Sequence, residues 1–250
     1  MLYAVTVIRN EEYYLPSFLE HIRDYVDGII VLDDGSSDNT IKICENEPKV
    51  IDIIKNPVTN DIDYDEAGNR KKVLRRAYEI SPDKENTWVL CCDPDERFEI
   101  GFLKKMRKLC EGERKAYGFH FREVHDNKKY YRSDGLWNDK KKFILFPLQE
   151  QMDFDTIYVF KRHIHWFYNE IAPTQTMTDY NIYHLKMLKK DDRIKRAEIY
   201  KKLDPNNEVQ PIGYDYLYDE EGMKLQKIKF SKRYDYKLIP EDMKKYNTLK

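Results

Sequence analysis

Three acidic clusters in the first hundred residues have the composition of a site for a divalent cation. Each follows an apolar segment, and they span Arg9 to Glu12, Asp33 to Asp38 and Asp93 to Glu96. Hard divalent cations prefer carboxylate oxygens, and an Asp-x-Asp pair can hold such an ion while leaving coordination positions open for a diphosphate. Asp93-Pro94-Asp95 is a pair of this kind.

Each cluster also has a purely structural explanation. An Asp-Pro-Asp sequence suits a turn in which an aspartate caps the following helix, and the D-D-G-S-S-D sequence from Asp33 to Asp38 is equally good turn chemistry. One cluster alone is therefore weak evidence for a metal site. Three clusters that converge in one cleft are stronger evidence.

The elements around these clusters alternate between strand and helix. Four apolar runs predict buried strands: Tyr3 to Ile8, Gly28 to Asp34, Val50 to Ile54 and Thr87 to Cys92. Helical spacing and capping residues predict helices between them, at residues 15–26, 40–45 and 66–80. This order predicts an α/β fold with a mostly parallel central sheet and flanking helices. In such a sheet ligands bind outside the carboxyl ends of the strands, where the three clusters fall.

The second half of the chain has a different order of predicted helices and strands. A helix is predicted near residues 101–110, and then come strand-like segments that suit antiparallel pairing: residues 116–124, 128–131 and 142–146. A helical pattern runs from Leu185 to Leu203, and Asp204-Pro205-Asn206-Asn207 ends it before a Tyr-rich, charged C-terminal segment. The second half is therefore predicted to be mixed.

Composition excludes several classes of protein. With 44 Lys and Arg against 45 Asp and Glu, the net charge of -1 gives no general attraction to nucleic acid. No stretch approaches the length of a membrane-spanning helix, and the apolar start is too short for a signal peptide. The four cysteines are scattered, which predicts reduced thiols in a soluble, cytoplasmic protein. The Lys140 to Lys142 run could serve peripheral membrane contact or be a plain solvated face.

Three segments, VTVIRNEE, IIVLDDGSSDNT and WVLCCDPDE, resemble in their order and spacing the signatures of family 2 glycosyltransferases. The resemblance implies the GT-A fold, in which the first half binds a nucleotide and the second half an acceptor. On this basis we predict a GT-A domain over residues 1–190, divided at residue 100 into these halves. Residues 191–250 are predicted to be a helical, Tyr- and Lys-rich extension packed on it.

The resemblance also implies roles for residues of the nucleotide site. It places Val7, Arg9 and Glu11 beside the base and ribose, and it makes Asp34 an acceptor of a hydrogen bond from the base. Arg70 falls where the family often has an arginine that faces the diphosphate. The alternative for Arg70 is an ordinary exposed arginine on a helix.

The same resemblance implies a metal site for Mn²⁺ or Mg²⁺. Asp93 and Asp95 match the metal motif of the family, with Asp95 as the direct ligand and Asp93 reaching the ribose or a metal-bound water. His184 is predicted as a third ligand, and a structural histidine is its alternative. His165 is a second histidine candidate, beside Trp166 as a platform for a sugar or a core aromatic.

Transfer with inversion needs a carboxylate that takes the proton from the acceptor hydroxyl. Many family members place it in a Glu-Asp pair before a helix. That pair is absent at the expected place here, so Asp134 and Glu170 are the candidates for the catalytic base.

The sequence therefore predicts a metal-dependent, inverting glycosyltransferase. Its donor would be a nucleotide-diphosphate sugar, with UDP-sugar expected from the family, and its acceptor a hydroxyl of a glycan or lipid-linked saccharide. The missing Glu-Asp pair keeps an alternative open, namely a noncatalytic nucleotide-sugar-binding protein or partner subunit on the same fold.

Overall fold

The structure is a computed structural model, and it describes residues 1–58, 65–148 and 174–247. The strands in these ranges are β1 (Leu2–Ile8), β2 (Gly28–Asp33), β3 (Val50–Lys55), β4 (Trp88–Cys91), β5 (Glu96–Phe98), β6 (Ala116–His125), β7 (Asn127–Arg132), β8 (Lys141–Pro147), β9 (Gln175–His184) and β10 (Leu225–Lys227). The α-helices are α1 (Leu15–Ile22), α2 (Thr40–Glu45), α3 (Glu66–Ile80), α4 (Ile100–Cys110) and α5 (Lys190–Leu203). Short 3-10 helices lie at Gly135–Trp137, Leu185–Met187, Asp215–Leu217, Phe230–Lys232 and Glu241–Lys245.

The strands form one sheet in the order β10-β7-β6-β8-β4-β1-β2-β3, and β9 pairs with both β5 and β6. The pairs among β1, β2, β3 and β4 are parallel. Around β8, β6, β7 and β10 the pairs are antiparallel, whereas β9 runs parallel to β6. The predicted α/β fold, with a parallel first half and a mixed second half, is confirmed.

Burial explains why the first strands form the centre of the molecule. Every residue of β1, β2 and β4 is buried, because helices cover the faces of the sheet. Helix α1 ends at Ile22 rather than at Val26, although Val26 is buried as its spacing suggested. Strand β5 has only three residues and was not predicted from sequence. The helical pattern from Leu185 to Leu203 is divided into a 3-10 turn and α5.

The C-terminal segment packs on the strands of the second half. Ile239 and Met243 share a buried apolar cluster with Tyr14, Val124 and Tyr183. The division of the chain at residue 190 stays a prediction, and these contacts show that residues beyond it take part in the core.

A buried arginine connects this segment to the loop that carries the Asp-Pro-Asp sequence. Arg97 donates hydrogen bonds to the carbonyl oxygens of Pro94, at 2.8 Å, and of Leu238. A third hydrogen bond reaches the hydroxyl of Ser17 in α1. Because Arg97 is fully buried, these oxygens supply the hydrogen-bond partners that its guanidinium needs.

None of the helices in the described ranges is both long enough and apolar enough to cross a lipid bilayer.

The loop after β2 depends on a glycine in the left-handed region of backbone conformation. Gly35 has a φ of 75°, and the amides of Gly35 and Ser36 both donate to the Asp33 carboxylate, at 3.2 and 3.0 Å. A Cβ atom at Gly35 would lie 2.6 Å from the Cα atom of Val58. The turn therefore has room only for glycine.

We expect Gly35→Ala to lower the free energy of unfolding by more than Gly222→Ala does. Both positions have positive φ, so each alanine costs about 1–2 kcal/mol of backbone strain. Gly222 faces open space, whereas alanine at Gly35 adds a clash worth about 1–3 kcal/mol. Urea unfolding of the two variants measures the difference. Equal losses would show that the contact with Val58 does not constrain this loop.

Candidate functional site

A cleft of about 980 Å³ opens at the carboxyl ends of β1 and β4. The first half of the chain contributes Val7, Glu11, Arg70, Asp93 and Asp95 to its lining. Five of the residues that the sequence assigned to nucleotide or metal therefore meet in one place. Strands β6, β8 and β9 and helix α5 contribute the opposite wall.

His184 lies between two buried carboxylates at the base of this cleft. Its Nε2 atom is 3.1 Å from the Asp95 carboxylate, and its Nδ1 atom contacts the Glu123 carboxylate. Strand pairing produces this arrangement, because His184 lies opposite Glu96 in β5 and opposite Glu123 in β6. The predicted proximity of Asp95 and His184 is thus present in the structure.

The opposite charges of His184, Asp95 and Glu123 stabilise one another's ionised forms. Burial alone would lower the pKa of His184, but the carboxylates of Glu123 and Asp95 raise it to about 9. Burial would raise the pKa of Asp95, yet His184 and Lys186 hold it well below its usual range. Without a bound metal ion, the carboxylates are therefore ionised and the imidazole is protonated.

A second ion-pair group surrounds Asp93. The Lys142 ammonium is 2.7 Å from the Asp93 carboxylate and also contacts Glu96. The Arg70 guanidinium is 2.6 Å from Glu66 and 3.7 Å from Asp93. Arg70 is buried, so the alternative of an ordinary exposed helix arginine is wrong. Asp93 is held by Lys142 and Arg70, whereas Asp95 is held by the imidazole and Lys186.

Glu11 joins the loop after β1 to this centre. The Lys186 ammonium lies 3.6 Å from the Glu11 carboxylate and 3.5 Å from that of Asp95. Burial raises the pKa of Glu11 to about 7, and Lys186 counteracts the rise. The Glu11 amide donates to the Thr40 hydroxyl at 2.8 Å, which fixes the loop against α2.

Arg9 and Asp34 belong to a separate polar group outside the lining of the cleft. Their side chains are 3.7 Å apart, and the amide nitrogen of Asn56 donates to Asp34 and to Asn69, each at 2.8 Å. The second carboxylate oxygen of Asp34 and the amide nitrogen of Asn69 are buried and form no hydrogen bond with the described residues. Buried polar atoms are nearly always hydrogen-bonded, and a bound ligand can supply the hydrogen-bond partner here.

Of the two predicted catalytic bases, Asp134 is the one that the structure describes, and it is not in the lining of the cleft. Asp134 is held by Arg132 at 3.0 Å and by the amide of Lys224 at 2.9 Å, and it does not line the cleft. Its carboxylate is committed to these structural contacts, so the geometry gives no support to its role as base. Glu170 lies outside the described residues, as do His165 and Trp166.

Sequence reasoning missed several residues that line the cleft. Glu123 escaped notice because its role depends on the register between β6 and β9. Lys142 was hidden in the Lys140 to Lys142 run, which does not form a plain solvated face since all three lysines line the cleft. Lys186 follows His184 by two residues, and this short spacing was the one feature of the sequence that could have indicated a place in the cleft.

The donor atoms fit a divalent cation only in part. Within residues 1–58, 65–148 and 174–247, no group of three or more His, Cys, Asp or Glu side chains is arranged to hold a metal ion. Asp95 and His184 nevertheless place a carboxylate oxygen and an imidazole nitrogen 3.1 Å apart, and both atom types bind such ions. Glu123 orients the imidazole from its other nitrogen, as carboxylates commonly do for metal-binding histidines. This pair suits an ion whose remaining ligands come from a bound diphosphate.

The sequence matches the model of the family described as Glycosyl transferase family 2 over residues 3–172. The match covers more than half of the chain, and the protein belongs to this family. Together with the parallel half-sheet and the mixed second half, family membership identifies the fold as GT-A. Comparison with curated proteins gave no match.

Solved structures with similarity to this chain include two forms of S. aureus TarS 1-349. The form in complex with UDP is 19% identical with a TM-score of 0.36, and the match covers 50% of this chain and 36% of that one. The other is 13% identical with a TM-score of 0.41, covering 88% and 69%.

A third is glucosyl-3-phosphoglycerate synthase from Mycobacterium tuberculosis with Mn²⁺, UDP and glucosyl-3-phosphoglycerate. It is 19% identical with a TM-score of 0.35, covering 52% of this chain and 46% of that one. This chain thus spans less than half of the synthase and of the UDP-bound TarS fragment. The family assignment rests on the sequence match alone.

We expect Glu123→Gln to weaken Mn²⁺ binding in the presence of UDP by about 10- to 100-fold, the usual cost of losing the partner of a metal-binding histidine. Glutamine keeps the shape of the side chain but removes the charge that orients His184. Free Mn²⁺ measured by electron paramagnetic resonance gives the affinity. Glu113→Gln makes the same change at a side chain that is 82% exposed and should leave the affinity unaltered. Unchanged Mn²⁺ affinity in a folded Glu123→Gln protein would remove Glu123 from this role.

Proposed function

We propose that this protein is a metal-dependent, inverting glycosyltransferase that uses a nucleotide-diphosphate sugar and acts on a hydroxyl of a glycan or lipid-linked saccharide. The observation that carries the proposal is the alignment of Asp95, His184 and Glu123 at the base of the cleft. Family membership supplies the reaction class. The four cysteines are free thiols, which supports a location in the cytoplasm.

The donor nucleotide would lie across the carboxyl ends of β1, β2 and β4. Asp34 has a buried carboxylate oxygen that accepts no hydrogen bond from the described residues, which suits an N–H group of the nucleobase. Val7 and Glu11 line the cleft next to this region and would contact the base and ribose. The nucleotide is expected to be UDP, as the family resemblance implies.

The diphosphate would lie among the cations that surround the acidic centre. Asp95 and His184 would hold Mn²⁺ or Mg²⁺, which when bound neutralises charge on the departing diphosphate. Lys142 and Arg70 hold Asp93 in place and add positive charge on the same side. Fixed cations in a water-poor cleft stabilise developing negative charge without having to reorganise.

Inversion also needs a base on the acceptor side. Among the carboxylates of the described residues that line the cleft, Asp192 is the one with no Lys, Arg or His partner within 4.0 Å. A carboxylate that no cation holds is available to accept a proton from a hydroxyl. We assign the base to Asp192 in preference to Asp134, and Glu170 stays a prediction.

Calorimetric titration with UDP, GDP, CDP and dTDP, each with and without Mn²⁺, tests the donor site. We expect one diphosphate to bind in a metal-dependent manner and Asp95→Ala to weaken it at least about tenfold, or roughly 1.4 kcal/mol, because a metal ligand is lost. Asp24→Ala removes an exposed carboxylate outside the cleft and should bind normally.

Absence of binding by any diphosphate would overturn the proposal, as would equal affinity in the Asp95→Ala protein. Binding without any turnover of the matching nucleotide sugar would favour the alternative of a noncatalytic nucleotide-sugar-binding protein. That alternative draws on the missing Glu-Asp pair, and Asp134 is not in the lining of the cleft.

A further inference from the structure

One face of α5 lines the cleft, and Tyr200 at the end of this face also packs against a buried apolar cluster. Its residues are Asp192, Lys195, Arg196, Ile199 and Tyr200, the i, i+3, i+4, i+7 and i+8 positions of a helix. Such a row normally forms the apolar stripe that a helix buries. Here the row carries charged and amphipathic side chains and faces open space, which indicates a surface built for a ligand.

Arg196 occupies the centre of this face. Its Nε atom donates to the Tyr200 hydroxyl at 2.8 Å, and its guanidinium carbon lies 5.2 Å from the centre of the Tyr200 ring. This contact fixes the direction of the side chain. The described part of the chain brings no carboxylate within 4.0 Å of the guanidinium. A guanidinium that is held in a fixed direction and has no carboxylate within 4.0 Å is suited to bind a phosphate or carboxylate group of a ligand.

Most other cations of the cleft differ from Arg196 in having acidic partners. Lys140 contacts Glu123, Lys141 contacts Asp139, Lys189 contacts Asp242, and Lys142 and Lys186 contact the acidic centre. Lys195 resembles Arg196, since it is exposed and has no carboxylate within that distance in the described ranges. Adjacent residues of α5 therefore place in the cleft two positive charges that contact no carboxylate of the described ranges.

Arg196 and Lys195 belong to a different part of the fold from Arg70. Arg70 lies in α3 and is 3.7 Å from Asp93, whereas Arg196 lies in α5 and is oriented by Tyr200. A diphosphate held at Arg70 would leave the α5 face open to a second ligand.

The α5 face also offers an apolar surface next to its positive charge. Ile199 is 54% exposed although it lines the cleft, and the ring of Tyr200 lies beside Arg196. An exposed isoleucine in a cleft loses contact with water only when a ligand covers it. The combination suits a ligand in which an anionic group adjoins an apolar or sugar surface.

We infer that the α5 face is the acceptor subsite and that the acceptor carries a phosphate group, which Arg196 and Lys195 bind. This inference rests on the proposed function and specifies the substrate class of the same cleft. The phosphate could belong to a soluble sugar phosphate or to a prenyl-phosphate-linked saccharide. The chemistry that Arg196 would recognise is the same in both.

The test uses the full chain saturated with UDP and Mg²⁺, so that the donor side is filled. Glucose 1-phosphate, glucose and farnesyl phosphate in detergent are titrated into it by calorimetry. We expect at least one phosphate compound to bind and glucose not to bind. Arg196→Met should weaken phosphate binding at least tenfold, and Arg196→Lys, which keeps the charge, should restore most of it. Lys202→Met removes an exposed cation of the same helix outside the cleft and should change nothing.

Each outcome has a distinct meaning. Binding of glucose 1-phosphate or of farnesyl phosphate supports the inference and identifies the soluble or the lipid source. Normal UDP binding with no binding of either phosphate overturns the inference and leaves the proposed function intact. Weaker UDP binding in Arg196→Met would also overturn it, because Arg196 would then belong to the donor diphosphate. Failure of the wild-type protein to bind UDP would instead contradict the proposed function itself.

Discussion

Strand β9 ends at a point where it pairs with two other strands, and this sets the geometry of the cleft. Its last residue, His184, lies opposite Glu96 of the short strand β5 and opposite Glu123 of β6. The amide of Leu185 then donates to the carbonyl oxygen of Asp95 at 2.8 Å. These backbone contacts hold the imidazole between Asp95 and Glu123, so the acidic centre exists only because both halves of the fold meet there.

The electrostatics of the cleft follow from the cost of burying charge. A carboxylate taken out of water needs an opposite charge and hydrogen bonds, or it becomes neutral. Asp93, Asp95 and Glu123 meet this need with Lys142, His184 and Lys140. On α5, Arg196 and Lys195 have no carboxylate within 4.0 Å in the described part of the chain. The first arrangement suits the binding of a metal and diphosphate, and the second suits an anionic acceptor.

The sequence predicted the parallel half of the sheet well, because hydrophobic runs and turn residues are local signals. It also located Asp93, Asp95 and Arg70, whose positions after a strand or on a neighbouring helix follow from that order. His184 was predicted from the family resemblance, but its partner Glu123 was not, since strand register in a mixed sheet depends on long-range pairing. Asp134 stays a prediction as base. Its carboxylate is held by Arg132 and by the amide of Lys224, and the second contact joins residues 90 positions apart, which no local signal shows.

The most direct test of the metal and nucleotide sites is a crystal structure of the protein with UDP and MnCl₂. An anomalous difference map at a suitable wavelength would identify manganese. We expect a manganese peak within coordination distance of the Asp95 carboxylate and the Nε2 atom of His184. We also expect the diphosphate to complete the coordination and the nucleobase to lie at Asp34. A nucleotide bound elsewhere, or a filled nucleotide site with no manganese at Asp95 and His184, would contradict this assignment.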